Sequence, residues 1–324
     1  MKESLSILDF EEKANYLWQS KVPFIFIIDY DLKEFKVYEI DNIPNGILYD
    51  FEGISNTFTK KIEKKINLKV FPMSFANYKL AFNEVNEHIN SGNTYLLNLT
   101  FPNNIDIELS LEEIFYISKA KYKLKFKEEF VVFSPETFVK IKDGYIYSYP
   151  MKGTIDSSLP DAEMFIMNNK KEIAEHATIV DLIRNDISIV ADNVCVNKYR
   201  YIDKIRTNNK NLLQVSSEIS GKLSEYYMEN IGSLFLQLLP AGSISGAPKN
   251  KTLEIISQVE NNSRGYYTGV AGIADGDSVN SFVMIRFIES RNGKLFYHSG
   301  GGITMNSNDI EEYNEMLDKI YIPN

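Results

Sequence analysis

The chain has 324 residues, of which 44% are hydrophobic and 24% are charged, with 17 glycines and 10 prolines. This composition is that of an ordinary globular protein, built as one large domain or two closely packed ones, and it does not indicate disorder. The net charge of −9 argues against a nucleic-acid partner, because affinity for phosphate backbones comes from an excess of lysine and arginine.

The sequence also gives expectations about location. No run of eighteen or more apolar residues appears, and residues 1–20 are acidic and interrupted, unlike a signal peptide. We therefore expect no membrane partner and a cytoplasmic protein. Cys195 is the single cysteine and has no histidine near it in the sequence, so we expect a buried, unreactive side chain.

The first predicted elements are a β-hairpin and a helix. Residues 22–40 hold an apolar run, a turn at "DYDLKE" and an alternating run, the pattern of a hairpin. Isoleucines and a glutamate interrupt the basic tract 60–69, which favours a solvated helix face or a linker. Apolar residues recur at helical spacing over 74–91 and end at Gly92, and 94–107 then predicts a strand.

The rest of the chain alternates strands and helices. Segment 129–154 predicts successive strands with a turn at Asp143–Gly144, and 265–304 predicts three strands separated by "ADGD" and "RNGK" turns. Hairpins grouped with intervening helices predict an α+β fold with large antiparallel sheets. The predicted helices cover 170–187, about 228–239, 248–259 and 308–320, the last of them capped by Ser307.

Two predicted helices carry acids off their apolar stripes. Spacing alone favours solvated acids for Glu172 and Glu175 in the segment "KEIAEHATIVDLIRND". In the terminal helix, Glu312, Glu315 and Lys319 fall opposite the apolar face. A solvent-exposed Glu–Lys pair is one interpretation. In the other, the acids reach a divalent cation and the lysine reaches an anionic ligand. Spacing leaves both open.

Two glycine-containing loops suggest ligand contacts. "HSGGGIT" (298–304) allows the backbone to approach an anion closely, although a flexible turn is the alternative. "LPAGSISGAPKNKT" (239–252) lacks the spacing of a P-loop, which makes a nucleotide triphosphatase an unlikely interpretation. No His/Cys cluster has zinc spacing, so a metal here would be a hard cation held by carboxylates, which indicates magnesium.

Seven motifs occur in the order found in chorismate-utilising enzymes: "SPETF", "PMKGT", "AEHATIVDLIRND", "LPAGSISGAPK", "RGYYTGVAGI", "MIRF" and "GGGIT…EEYNEMLDK". Over about residues 75–320 the chain resembles this family, which includes anthranilate, aminodeoxychorismate, isochorismate and salicylate synthases. The resemblance implies a sandwich of two large antiparallel β-sheets with helices outside. It also implies a shortened N-terminal part at 1–72 that contributes strands, and a chorismate-binding catalytic domain at 73–324.

The resemblance also implies the site. Glu175 and Glu315, supported by Glu312, would bind Mg2+. Arg286 and Lys319 would hold the carboxylates of chorismate. The other residues that the family pattern places around the substrate are Gly301, Gly302, Gly153, Thr154, Tyr267, Ser245, Gly246 and Gln214, the last in place of the family's histidine.

Lys152 in "PMKGT" favours one subfamily. Aminodeoxychorismate synthases carry lysine at this place and anthranilate synthases carry alanine, so the resemblance implies that Lys152 adds to C2 of chorismate. Glu136 would be the general acid. A cationic, partly desolvated pocket would lower the pKa of Lys152 and so activate it. Leu96 stands where isochorismate and salicylate synthases carry a lysine that activates water, which disfavours their reaction.

The chain itself lacks a glutaminase site, which needs a nucleophilic cysteine paired with a histidine. We therefore expect ammonia to come from a separate glutamine amidotransferase subunit. Two alternatives remain open at this point. One is anthranilate synthase component I, and the other is a non-catalytic chorismate-binding module.

Overall fold

The structure is a computed structural model, which describes residues 4–58, 60–206 and 211–324. The helices are α1 (Ile7–Gln19), α2 (Phe75–Asn90), α3 (Leu111–Ile117), α4 (Ala162–Asn168), α5 (Lys170–Ser188), α6 (Glu225–Glu229), α7 (Ile231–Leu238), α8 (Lys249–Val259) and α9 (Asp309–Asp318). The strands are β1 (Phe24–Ile28), β2 (Phe35–Glu39), β3 (Ile47–Phe51), β4 (Ile54–Ser55), β5 (Lys69–Phe71), β6 (Leu96–Asp106), β7 (Tyr122–Phe126), β8 (Phe130–Ser134), β9 (Thr137–Lys142), β10 (Tyr145–Ser148), β11 (Met151–Asp156), β12 (Ala191–Arg206), β13 (Asn211–Leu223), β14 (Gly246–Ala247), β15 (Val270–Ala274), β16 (Ser278–Val283), β17 (Phe287–Arg291) and β18 (Lys294–Thr304).

Two large sheets organise the molecule. The first has the order β11-β13-β10-β9-β16-β15-β1-β2, with β12 also paired to β13. The second has the order β14-β6-β18-β17-β8-β7-β3-β4, with β5 also paired to β6. Every strand pair is antiparallel, as in β1 with β2 and β6 with β18. The predicted α+β class with two antiparallel sheets is confirmed.

An aromatic core joins the two sheets. Phe282 of the first sheet lies 4.9 Å, centroid to centroid, from Tyr122 of the second and 5.0 Å from Phe51. These side chains are buried because each strand points alternate residues at the facing sheet. Strands from the segment before residue 73 lie in both sheets.

Helices cover the outer faces. Buried residues of α1, α5 and α7 pack on the first sheet, and those of α2, α8 and α9 pack on the second. Local signals start several of these helices. Ser74 caps α2 by accepting from the backbone N–H of Asn77, and Ser110 and Glu113 form a capping box at α3.

A buried ion pair anchors the loop between α7 and α8. The Arg264 guanidinium donates to both carboxylate oxygens of Glu260, to the Ile244 carbonyl at 2.8 Å and to the Asn98 carbonyl at 2.6 Å. Arg264, whose charge is paired with Glu260, therefore ties the loop around Ile244 to Asn98 near the start of β6.

Several local predictions need correction. Asn230 separates α6 from α7, where one helix is predicted. The second of the three strands predicted in 265–304 ends at Val283, so four strands form. Asn308, not Ser307, caps α9. Residues 60–68 form no helix, so the linker is the interpretation of this tract that agrees with the structure, and its lysines pair with acids such as Glu112 and Glu113.

Cys195 is exposed, which contradicts the prediction of a buried side chain. It lies on β12, whose partner among the described strands is β13, and its Sγ is 3.2 Å from the side-chain oxygen of Asn197. Alternation along β12 therefore did not predict which side chains of the strand are buried.

Candidate active site

Lys152 projects from β11 towards helix α5. Its Nζ lies 2.9 Å from Oε2 of Glu175, and its side chain is about one third exposed (31%). Burial by itself would lower the pKa of Lys152, but the carboxylates of Glu175, Glu315 and Glu172 raise it above the ordinary value. The expectation of a lowered pKa is therefore wrong for this arrangement, because the nearest charges are negative.

Glycine is required immediately after Lys152. Gly153 has φ +84°, and a Cβ built there would lie 2.7 Å from Oε2 of Glu172. A side chain would collide with that carboxylate and strain the backbone. Thr154 pairs with Gln214 of β13, whose side-chain amide donates to the Thr154 hydroxyl at 3.3 Å.

Four glutamates on two helices face this strand. Glu172 and Glu175 lie on α5, and Glu312 and Glu315 lie on α9. Lys171 Nζ lies 4.0 Å from Oε1 of both Glu175 and Glu312, which links the two pairs.

The four carboxyls differ in their surroundings. Burial raises the pKa of Glu172 and of Glu312, and neighbouring glutamates raise both further. Burial acts in the same direction on Glu315, but Lys319 lowers the pKa of Glu315 below its ordinary value. Oε2 of Glu172 is buried and has no hydrogen-bond partner among the described residues.

The glycine-rich end of β18 passes directly beneath α9. A Cβ on Gly301 would lie 3.4 Å from Oε2 of Glu312 and 3.8 Å from Nζ of Lys319. Lys319 Nζ donates to the Gly300 carbonyl at 2.7 Å and pairs with Glu315 at 2.8 Å. Burial lowers the pKa of Lys319, although Glu315 opposes this.

One edge of β18 is open at these glycines. The β17–β18 pairing extends only to His298, whereas β6 pairs with β18 as far as Thr304. No described strand therefore covers the second edge of β18 at Gly301 and Gly302. Backbone N–H groups on such an edge are suited to an anionic ligand.

Arg286 lies where the chain breaks between β16 and β17. It has φ +56°, and its carbonyl accepts from the Phe133 N–H at 3.1 Å. Its Nε is buried and has no hydrogen-bond partner among the described residues, and its guanidinium lies 5.4 Å from the ring of Tyr321. A buried donor without an acceptor is costly in a closed core, so this guanidinium is suited to an anionic group.

Glu136 follows β8 at the base of the same region. Ser243 donates to its Oε1 at 2.8 Å. Burial raises the pKa of Glu136, whereas Ser243, Arg286, Lys319 and Lys152 act in the opposite direction. The net result is a raised pKa, which suits a carboxyl group that must hold a proton.

Tyr267 and the segment Ser245–Gly246 are more deeply buried than Lys152. Tyr267 is 4% exposed, and burial raises the pKa of its hydroxyl while Arg264 and Arg286 oppose the shift. Ser245 is fully buried and donates to the Ala241 carbonyl at 2.8 Å. Gly246 pairs with Leu97, so both residues shape the loop, and direct substrate contact stays a prediction for them.

The comparisons with known proteins agree with this geometry. A family model described as chorismate binding enzyme matches residues 47–323. The chain belongs to the chorismate-binding enzyme family.

Relatives of this chorismate-binding enzyme differ in name. An "Uncharacterized PabA-like protein" of Haemophilus influenzae is 48% identical over 315 residues, 97% of this chain and 96% of its own length. Aminodeoxychorismate synthase component 1 of Klebsiella aerogenes is 28% identical over 91% of this chain and 67% of its own. Anthranilate synthase component 1 of Mycobacterium tuberculosis is 34% identical, over 57% of this chain and 36% of its own.

The fold is shared with solved members. A putative 2,3-dihydroxybenzoate-specific isochorismate synthase, DhbC, from Bacillus anthracis superimposes with a TM-score of 0.74 at 18% identity, covering 97% of this chain and 87% of its own. None of the described helices has the length and hydrophobicity that a membrane-spanning segment needs.

The structure brings most sequence-predicted residues of this chorismate-binding enzyme to one region, around Lys152, Glu136, Arg286 and the two helices. Sequence reasoning treated Glu172 as a solvated acid and missed Ser243. Glu172 precedes Glu175 by three residues, as Glu312 precedes Glu315, so a shared i,i+3 spacing on the two helices was the available signal.

The acidic cluster has the ligand types of a cation site. Across the described ranges, no three His, Cys, Asp or Glu side chains are grouped closely enough to hold a metal ion. Lysines stand among the carboxylates instead, with Lys152 on Glu175 and Lys319 on Glu315. The donors are all carboxylates, and one buried oxygen of Glu172 is unpartnered. Carboxylates are the ligands that a hard divalent cation such as Mg2+ takes. The residues therefore fit the ion in kind, but they are not gathered around one point in this structure.

His176 gives this enzyme a pH-dependent stability. It is buried, its Nε2 lies 2.7 Å from the Ser217 hydroxyl, and burial followed by the Arg200 charge lowers its pKa to about 4. Unfolding lets it take up a proton near pH 6.5. Its contribution is therefore complete above about pH 6.5 and is lost as pH falls towards 4, by up to about 3 kcal/mol.

We expect the free energy of unfolding of His176→Gln to fall less steeply over this pH range than that of the wild type. Urea denaturation at several pH values measures the difference. Parallel curves for the two proteins would contradict the assignment.

Proposed function

We propose that the protein is aminodeoxychorismate synthase component I, which converts chorismate and ammonia into 4-amino-4-deoxychorismate. The observation that carries the proposal is the position of Lys152 on β11, where its Nζ lies among the glutamates of α5 and α9, 2.9 Å from Glu175. Electrostatic interaction of Glu136 with Lys152, Arg286 and Lys319 supports a common site.

Arg286 and Lys319 supply the positive charge that a dicarboxylate substrate needs. The unpartnered Nε of Arg286 and the open backbone edge at Gly301 and Gly302 offer further donors. A net acidic protein would thus bind an anion through charge gathered in one cleft.

Lys152 acts as the nucleophile in its neutral form. Mg2+ held by Glu175 and Glu315 would favour that form, because it would offset the negative charge that raises the pKa of Lys152. Its neutral Nζ forms a bond to C2 of chorismate, the two ring double bonds shift to C1=C6 and C4=C5, and the C4–O bond breaks while Glu136 gives its proton to the departing hydroxyl. Water leaves, and Glu136 becomes a carboxylate. Ammonia then bonds to C4, the C2–Nζ bond breaks, and its electron pair returns to Lys152.

Glu175 and Glu315, with Glu312 and Glu172 beside them, are the residues that would hold Mg2+. Bound there, the ion would offset repulsion among these carboxylates and attract a carboxylate of the substrate.

Leu96 separates this proposal from water-activating members of the family. Its Cδ1 would lie 3.2 Å from a Cβ on Gly302, so an apolar side chain borders the glycine-rich strand. Leu96 has no group that could deprotonate water.

Ammonia would come from a separate glutamine amidotransferase subunit. Cys195 is the only cysteine of the chain, and its Sγ contacts Asn197 and the Ser220 hydroxyl, not an imidazole. The PabA-like name of the Haemophilus influenzae relative is consistent with a two-component system.

Anthranilate synthase component I is the second candidate, favoured by the 34% identity to the Mycobacterium tuberculosis protein over 57% of this chain. The two activities differ in the carbon that receives nitrogen.

The test is an assay of the isolated chain with chorismate, Mg2+ and an ammonium salt, with the product identified by mass and fluorescence. We expect aminodeoxychorismate, and no turnover when glutamine replaces ammonium. Anthranilate as the main product would support the second candidate, and absence of turnover would support a non-catalytic chorismate-binding module.

A further inference from the structure

A small cavity lies behind Glu136. Its volume of about 20 Å³ has room for one water-sized molecule. The lining residues with polar side chains are Glu136, Thr137, Ser148, Tyr149, Asp186 and Ser243, and the others are apolar and include Val139. The cavity is therefore a closed-in pocket for one small polar molecule.

The hydrogen-bonding groups of the lining determine which kind of small molecule the cavity can bind. Ser148 uses its hydrogen to donate to the Phe138 carbonyl at 3.1 Å, and Ser243 uses its own to donate to Glu136. Both hydroxyl oxygens remain acceptors. Two carboxyl groups and two acceptor hydroxyls favour a molecule that donates hydrogen bonds or carries positive charge, and they disfavour an anion.

The loop that carries Ser243 is fixed on its other side. Asp186 accepts from the Gly242 N–H at 3.2 Å and pairs with Lys249 at 3.1 Å. Lys249 thus neutralises the charge of Asp186. Glu136 remains the carboxyl group of the lining that can exchange a proton with a molecule in the cavity.

The cavity also adjoins the reacting groups. It is lined by Tyr149 and Pro150, and the chain passes from there directly to Lys152. Glu136 lines the cavity and also interacts electrostatically with Arg286, Lys319 and Lys152, the groups proposed to hold and attack the substrate. In the proposed function Glu136 serves C4, and the nucleophile that replaces the C4 hydroxyl must approach that same carbon.

We infer that this cavity is the binding site for the nitrogen nucleophile, and that Glu136 takes a proton from an ammonium ion held there. The inference rests on the proposed function. Once Glu136 has given its proton to the departing hydroxyl, its carboxylate accepts a proton from NH4+, which leaves NH3. The ammonia nitrogen bonds to C4, the C2–Nζ bond breaks, and its electron pair returns to Lys152. The product carries C4–NH3+, and Glu136 is protonated again for the next cycle.

Filling the cavity is the first test. Val139→Leu adds a methylene group to the lining, and we expect the KM for ammonium to rise about tenfold or more, while the KM for chorismate changes less than about twofold. Covalent attachment of chorismate to the chain without ammonium, followed by intact mass, should proceed at the wild-type rate. Val190→Leu is the matched control, because Val190 is equally buried in the same core but does not line the cavity.

Enlarging the cavity is the second test, and it does not depend on a loss of activity. Val139→Ala removes two methyl groups, so we expect the rate with methylamine relative to ammonium to rise about tenfold over the wild type. A folded Val139→Leu enzyme with the wild-type KM for ammonium, or a Val139→Ala enzyme with unchanged amine selectivity, would overturn the inference.

The experiments give different results if the proposed function is wrong and if only the cavity assignment is wrong. A wild-type chain that forms neither the lysine adduct nor aminodeoxychorismate removes the function and this inference together. Normal adduct formation with unaltered amine use in both Val139 variants removes the inference alone.

Discussion

Replacement of Lys152 by alanine should abolish covalent capture of chorismate and reduce formation of aminodeoxychorismate by at least about 10³-fold, the scale of losing a nucleophile. The reason is that Nζ makes and breaks the bond to C2, and no other described lysine lies on β11. Intact mass of the chain after incubation with chorismate, without ammonium, measures capture directly. Residual turnover should shift towards amination at C2, which product analysis detects.

Lys171→Ala is the matched control. Lys171 also approaches Glu175, at 4.0 Å, and its removal changes the charge of the acidic cluster by the same amount. We expect it to retain covalent capture and most of the activity. If Lys152→Ala turned over at the wild-type rate, Lys152 would not be the nucleophile.

For Lys152, the sequence predicted the position of the side chain but not its electrostatic surroundings. The motif order predicted the two antiparallel sheets and gathered Lys152, Glu136 and Arg286 in one region, because residues around a family motif fold locally in the same way. The electrostatic state of Lys152 needed the contact with Glu175, 23 positions along the chain. No periodicity reports such a contact, and the direction of the pKa shift of Lys152 was therefore predicted wrongly.

The interruption between β16 and β17 at Met284–Arg286 is a second feature that the sequence did not predict. Alternation continues through "SFVMIRFIES" and predicts one strand, but Arg286 adopts φ +56° and β17 joins the other sheet. A left-handed residue other than glycine is invisible to hydrophobic patterning. The break nevertheless decides the site, because it carries Arg286 to the point where its guanidinium is buried and has an unpartnered Nε.

Replacement of Glu136 by glutamine should lower kcat by about 10²- to 10⁴-fold, the usual contribution of a general acid, and leave the dissociation constant of chorismate nearly unchanged. The carboxamide keeps the size of the side chain and can still accept from Ser243, but it cannot give a proton to the departing C4 hydroxyl. Stopped-flow measurement of adduct formation, with binding followed separately, distinguishes the two effects. Glu128→Gln is the matched control, because that side chain is 82% exposed and pairs only with Lys125 among the described residues.

The pH dependence gives a second and independent measure of Glu136. The reaction needs Glu136 as the acid and Lys152 as the neutral amine, and Lys152 has the higher pKa because neighbouring carboxylates raise it. Between the two pKa values, the gain of neutral amine with pH cancels the loss of acid, so the rate of adduct formation should be level there and fall below the pKa of Glu136. Ser243 lowers the pKa of Glu136 through its hydrogen bond to Oε1, so Ser243→Ala should move this acidic limb to higher pH. Glu136→Gln should remove the level region, so that the rate keeps rising with pH towards the pKa of Lys152. A level region retained in Glu136→Gln would assign the proton to another group and leave Glu136 a positioning role only.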